Sequence, residues 1–324
     1  MTIKRIFITG SSGCIGHYVS EKLIQDTEHE LFLLVRNPAK LGFDYNIRPN
    51  INILQGDLRE IDSFADLLKT MDMAILIATS WGGKAESWET NVVKTIELIQ
   101  LLDPQKCEQV IYFSTASILG QDNQPLIEAQ QLGTDYISTK YACFTKLPEL
   151  AIAPKITTLF PTLVLGGEEN KPYSHLSSGI SEVVNLINLI RWFQADGSFH
   201  FIHAKDIAQV VSYLVDSPPQ PRMNFEGRDL LEQIVLGNQP LTVNQVIEQI
   251  CNYLDKKVYF RIPLYIWLAN FFIVLFRVQM ADWDRFCLNY RHFTYQNTVN
   301  PSTFGLDTYC GTIAEVMAIS SKKK

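Results

Sequence analysis

Residues Arg5–Val19 read RIFITGSSGCIGHYV. An apolar, β-rich run ends at Gly10, two more glycines follow at intervals of three, and helical spacing takes over. Glycine costs conformational entropy and packs nothing, so its use here means that something approaches the backbone closely. At a strand-to-helix junction each glycine has a separate task. The first makes a tight turn, the second lets backbone amides reach a pyrophosphate, and the third lets helix and strand pack. The helix N-terminus adds unsatisfied N–H groups and partial positive charge. Gly10, Ser12, Gly13, Cys14, Ile15 and Gly16 are therefore expected around a phosphate.

The rest of the first half keeps alternating. ELFLLVR, INILQGD, MAILIATS, QVIYFSTAS and KITTLFPTLVLG read as strands, and ETNVVKTIELIQLL and STKYACFTKLPEL as helices. Continuous apolar strands between amphipathic helices mean a parallel sheet buried on both faces. The expected fold is α/β, a doubly wound parallel-sheet Rossmann domain with a smaller C-terminal α/β substrate lobe. The Rossmann domain is placed at 1–165 with roughly 197–220, the lobe at 166–196 and 221–315, and a tail at 316–324. Pro218–Arg222 reads as a loop, and Thr242 as the N-cap of the helix in TVNQVIEQICNYL.

Charge at the end of the second strand distinguishes the dinucleotides. An acidic residue there would hold a ribose 2′-OH, but this chain has Arg36, whose guanidinium suits a 2′-phosphate. NADP(H) is favoured over NAD(H). The net charge of -6 argues against nucleic acid as a partner. Six scattered cysteines without a CxxC pair read as reduced thiols in a cytosol-like compartment, without structural zinc. His200 and His203 read as packing or hydrogen-bonding groups rather than a metal pair, and no metal site is expected. The chain starts a strand almost at once, with no signal-peptide pattern, so a cytoplasmic location is expected. Pro263–Phe276 is the most apolar stretch, too short for a membrane span. It is expected to be a buried helix, its Trp267, Phe271, Phe272 and Phe276 lining a substrate pocket or filling the lobe's core. A helix on a membrane surface is the alternative. A homodimer is the commonest assembly for such a chain.

Taken together, these segments resemble the extended or atypical short-chain dehydrogenase/reductase superfamily of the epimerase/dehydratase type. Thr9–Gly16 matches its TGxxGxxG loop, QGDLRE its GDL, and TNVVKTIELIQ its N-V-x-G-T helix, with Lys94 in place of a glycine. YFSTASILG resembles SSxxVYG, YISTK is YxxxK, and LFPTLVLG resembles RPxxVYG with Phe160 in place of the arginine. FIHAKDIAQVV, with His203 and Asp206, resembles F-V-H-V-x-D-V-A. The resemblance implies that Asp57 and Leu58 flank the adenine and that Ala78, Thr79, Asn91 and Pro161 lie at the cofactor. It implies catalytic roles for Thr115, Tyr136 and Lys140, the last two also touching the cofactor.

The chemistry agrees. A phenol has a pKa near ~10 and is a poor acid or base at neutral pH. Lys140 lies one turn beyond Tyr136 on the same helix face, so its ammonium is expected to lower that value. Thr115 would hold a substrate oxygen. The expected activity is hydride transfer at a carbonyl or alcohol of a small, rather apolar molecule. A nucleotide-sugar epimerase retaining NAD, and a non-catalytic nucleotide-binding or assembly module, are the alternatives. TASILG lacks the acidic pair that sugar dehydratases place after the threonine.

Overall fold

The computed structural model describes residues 2–219, 222–223, 229–230, 232–275, 277 and 279–321. Its centre is a parallel sheet of seven strands: β1 (Arg5–Thr9), β2 (Glu30–Val35), β3 (Ile51–Gln55), β4 (Met73–Leu76), β5 (Gln109–Phe113), β6 (Ile156–Pro161) and β7 (Glu232–Leu236), in the order β7-β6-β5-β4-β1-β2-β3. Side chains alternate between two buried layers. Ile6, Ile8, Leu31, Leu33, Ile75 and Ile111 enter one, with Val19, Leu23 and Val211. Phe7, Phe32, Leu34, Leu76, Val110 and Tyr112 enter the other, with Leu98, Cys143 and Phe144. This is why the strands are apolar without a break.

Helix α1 (Cys14–Asp26) follows β1, and α2 (Thr95–Leu101) continues from a π-helical turn over Glu89–Lys94. Helix α3 (Asp135–Lys146) is capped by Thr134, whose hydroxyl accepts from the Ile137 N–H. Helices α4 (His175–Ile190), α5 (Ala204–Asp216), α6 (Val243–Tyr253), α7 (Ile266–Leu275), α8 (Asp282–Tyr290) and α9 (Ile313–Ser321) complete the long elements. Thr242 does cap α6, in a reciprocal box with Gln245. Helix α5 returns to the sheet and packs beside α1.

Three expectations need correction. Glu232–Leu236, assigned to the lobe, pairs in parallel with β6 as the last strand of the central sheet. Val316 and Met317, assigned to a tail, are buried with Ile187, Ile247 and Ile250 in the lobe's core. The apolar segment is not buried. Trp267 is 67% exposed and Phe271 55% exposed. The side chains of Phe272 and Phe276, residues 220–221 of the expected loop and the terminal lysines lie outside the described residues. Among the described residues no helix is long and apolar enough to cross a membrane.

Candidate active site

The site lies where the strand order reverses, beyond the carboxyl ends of β1 and β4. Gly10 has φ +81°, and a Cβ there would come within 2.6 Å of the Ala78 nitrogen. A Cβ on Gly16 would lie 2.0 Å from the Gly10 carbonyl oxygen. Both glycines are therefore demanded by the chain's own packing. Gly13 differs: its nearest neighbour would be that same oxygen at 3.3 Å. The chain's own packing does not demand a glycine there. The amides opening α1 carry no side-chain cap.

A cleft of about 370 Å³ opens over this loop. Gly10, Ser12, Gly13, Arg36, Asp57, Leu58, Ala78 and Thr79 line it. The sequence reading missed Arg59 in the same cleft. Its Nε and Nη2 donate to the two carboxylate oxygens of Asp57 at 3.1 and 2.8 Å. This contact holds the Asp57 carboxyl below the usual carboxylate range. A carboxylate two residues before an arginine at a helix start was the available signal.

A second cleft of about 500 Å³ adjoins the first, sharing Ile77, Thr79 and Trp81 with it. Here lie Cys14, Ile15, Thr115, Tyr136, Lys140 and Pro161. The two clefts together bring most of the expected residues into one trough. Gly16 and Asn91 line neither. Asn91 is fully buried and works behind the wall: its Oδ1 accepts from the Ser80 N–H (2.7 Å) and the Thr79 hydroxyl (3.0 Å). Its Nδ2 donates to the Ser80 carbonyl and the Thr139 hydroxyl, tying the loop after β4 to α3.

Tyr136 and Thr115 line this cleft together beyond the carboxyl end of β5. Burial pushes Tyr136 up to about 12, and the Thr115 contact opposes it only in part. The expected lowering by Lys140 is not what governs this phenol. Lys140 Nζ donates to the Phe113 carbonyl at 2.7 Å and sits over the Tyr112 ring. Burial brings Lys140 down to about 8. Ser114, on the wall of the same cleft, has a buried hydroxyl with no hydrogen-bond partner among the described residues. Such an atom is costly unless a ligand satisfies it.

Trp81 was also missed. Its indole stacks on Tyr136 with ring centroids 3.8 Å apart and planes at 12°, and it lies 5.0 Å from the His175 ring. The Trp follows a strand end and precedes Gly82–Gly83, a place where sequence alone shows only a loop. Lys140 is the only lysine, arginine or carboxylate side chain among the described residues lining this second cleft. Phe160, in place of the family's arginine, is fully buried and edge-on to Phe144.

His203 and Asp206 are structural. His203 accepts from the Lys205 N–H and caps α5. Asp206 accepts from the Tyr309 and Cys310 N–H groups and pins the closing segment to α5. His200 uses both ring nitrogens on backbone: Nε2 accepts from the Tyr295 N–H, so Nδ1 donates to the Asn238 carbonyl.

A seven-stranded sheet with a glycine cradle, and a Tyr/Lys/Thr set at the carboxyl ends of its strands, defines a Rossmann-type nucleotide-dependent enzyme. The chain belongs to the NAD dependent epimerase/dehydratase family, whose model matches residues 6–224. Among curated proteins it is 28% identical over 122 residues to quinone oxidoreductase 2 of Escherichia coli, covering 37% of this chain and 39% of that protein. It is 26% identical over 144 residues to a UDP-glucose 4-epimerase of Cyamopsis tetragonoloba, covering 39% and 41%. The chain thus spans about two fifths of the curated relatives it matches. Among solved structures, gox2253 covers 99% of this chain and 98% of its own, at 16% identity and TM-score 0.68. Bordetella bronchiseptica WbmG in complex with NAD covers 99% and 94%, at 14% identity and TM-score 0.63. The UDP-glucose 4-epimerase of Thermotoga maritima covers 98% and 97%, at 14% identity and TM-score 0.61. At such identities the structural likeness is one of fold.

Proposed function

We propose that this enzyme is an NADP(H)-dependent oxidoreductase acting on a carbonyl or alcohol of a small, rather apolar substrate. The observation that carries this is the second cleft: Thr115, Tyr136 and Lys140 at one end, an otherwise apolar and hydroxyl-lined wall, and Arg36 in the adjoining cleft. The glycine cradle and the orphaned Ser114 hydroxyl fit a dinucleotide lying along the trough. Arg36 and Ser12 would hold its adenosine end, the α1 amides its pyrophosphate, and Lys140 its nicotinamide ribose.

When bound, the reduced nicotinamide supplies the hydride. The chain's own residues handle the oxygen. The Thr115 hydroxyl donates to the substrate's carbonyl oxygen and fixes it beside Tyr136. As negative charge grows on that oxygen, the phenol gives up its proton, and the carbonyl becomes an alcohol. A phenol held at about 12 is protonated throughout the neutral range, the form that donates. Lys140, protonated at neutral pH, offsets the phenolate left behind until solvent restores its proton. Trp81 covers the phenol ring and narrows the way in for large polar groups.

The relatives that act on nucleotide sugars support a second reading, an epimerase that keeps its NAD. A sugar diphosphate needs cations, however, and Lys140, the one lysine or arginine among the described residues lining this cleft, already donates to a carbonyl. The two readings separate in one experiment. Purified protein is given NADPH with a panel of apolar aldehydes, ketones and quinones, and in parallel UDP-sugars without added cofactor. NADPH oxidation with a carbonyl, lost at least a hundredfold in Tyr136→Phe while NADPH still binds, is the expected result. Sugar interconversion by protein retaining non-exchanging NAD would overturn the reductase reading. Unaltered turnover in Tyr136→Phe would remove Tyr136 as the acid.

A further inference from the structure

The lobe carries an exposed apolar surface. Residues 262–276 contain no charged side chain, and Arg261 and Arg277 bracket them. Trp267, Phe271 and Leu275 of α7 are each more than half exposed, as are Tyr259, Phe260 and Tyr265 just before it. The surface extends onto α4. Phe260 stacks on Trp192 at the end of that helix, and the Ile262 and Leu264 N–H groups donate to the Trp192 and Gln194 carbonyls at 2.8 Å. On α4 itself Val183, Leu186 and Leu189 are exposed at spacings of three. Exposed apolar surface this contiguous marks a contact site.

Charge says what the contact is. Lys256, Lys257 and Arg261 line an open recess at the edge of the apolar surface, beside Tyr259 and Phe260. Glu248 and Asp255 share it, Glu248 3.8 Å from Arg261. Aromatic rings flanked by lysine and arginine are the side chains that sit at a lipid headgroup boundary. Helix α7 is ten residues long, about 15 Å, against a hydrocarbon core of about 30 Å, so it enters the interface and does not span. A chain of net charge -6 is repelled by an anionic surface unless it leads with such cations.

We infer that this enzyme docks on the surface of an anionic phospholipid bilayer, inserting the apolar side chains of α7 and the preceding aromatic segment, with Lys256, Lys257 and Arg261 at the headgroups. The inference stands apart from the reaction proposed above, and its test does not need activity. The full chain is floated with vesicles of phosphatidylcholine, and of phosphatidylcholine mixed with phosphatidylglycerol. Partitioning onto the mixed vesicles is expected to exceed that onto phosphatidylcholine at least about tenfold, and to fall with salt. Each cation is worth about fivefold, so Lys256→Gln with Lys257→Gln should lower it about twenty-five-fold. Trp267→Ser with Leu275→Ser, both exposed and harmless to the core, should abolish it with an unchanged melting temperature. Failure of the unaltered chain to float with the mixed vesicles would overturn the inference, as would equal partitioning onto both. So would sedimentation of a stable dimer without lipid that Trp267→Ser with Leu275→Ser turns into monomers.

Discussion

Arg36 and Arg59 share one cleft but are differently committed. The Asp57 carboxylate holds Arg59 through two side-chain contacts, whereas Arg36 stands at the end of β2 where an acidic residue would select a ribose hydroxyl. A charge-assisted contact to a 2′-phosphate is worth about 1.5–3 kcal/mol. Arg36→Ala should therefore weaken NADPH binding by about ten- to a hundredfold and leave NADH within about twofold. Titration of both nucleotides by fluorescence measures this. Arg59→Ala should shift the two equally. If instead it alone erases the preference, the phosphate belongs to Arg59. Tyr136 illustrates the limit of spacing as a guide. The i, i+4 relation placed Lys140 on the right face, yet the phenol is governed by burial, which only three-dimensional packing reveals.

At the level of elements, the junction of β1 and α1 separates two glycines that the fold itself demands from one that it does not. Gly16→Ala drives a Cβ into the Gly10 carbonyl, and the clash is with backbone that cannot rotate away. A loss of about 1–3 kcal/mol or more in stability is expected, read by denaturant unfolding. Gly13→Ala meets that oxygen at 3.3 Å, a contact a small shift relieves. It should cost under about 1 kcal/mol of stability and at least tenfold in nucleotide affinity. Equal losses of stability in the two variants would contradict this division. Elements of this kind were legible in the sequence because strands buried on both faces are apolar throughout and glycines at a turn have few other uses. Trp81 was not legible, since its stacking on Tyr136 joins a loop after β4 to a helix more than fifty residues on. Nor was the exposure of α7, because apolar composition states what a helix avoids and not what covers it.

For the molecule as a whole, the chain's order and the sheet's order part company. The family match ends at 224, yet the sheet ends with β7 at 232–236, after the family-matched residues. A parallel edge strand reached by a long connection has no local signal naming its partner, which is why the apolar run Ile234–Leu236 read as part of the lobe. Its residues are not peripheral. Ile234 and Leu236 enter one core layer and Val235 the other, while the Val299 N–H donates to the Val235 carbonyl and the Gly237 N–H to the Val299 carbonyl. Asp206 adds a second tie, from α5 to Tyr309 and Cys310. The two regions therefore fold as one unit, and a chain cut at 224 leaves β6 as an open edge and both layers short of apolar cover. Such a fragment should show no cooperative thermal transition and should bind a dye for exposed apolar surface, whereas the full chain melts in one step. Cooperative unfolding of the fragment, with a midpoint near that of the full chain, would mean that the first 224 residues stand alone and that β7 and the lobe are additions to a finished domain.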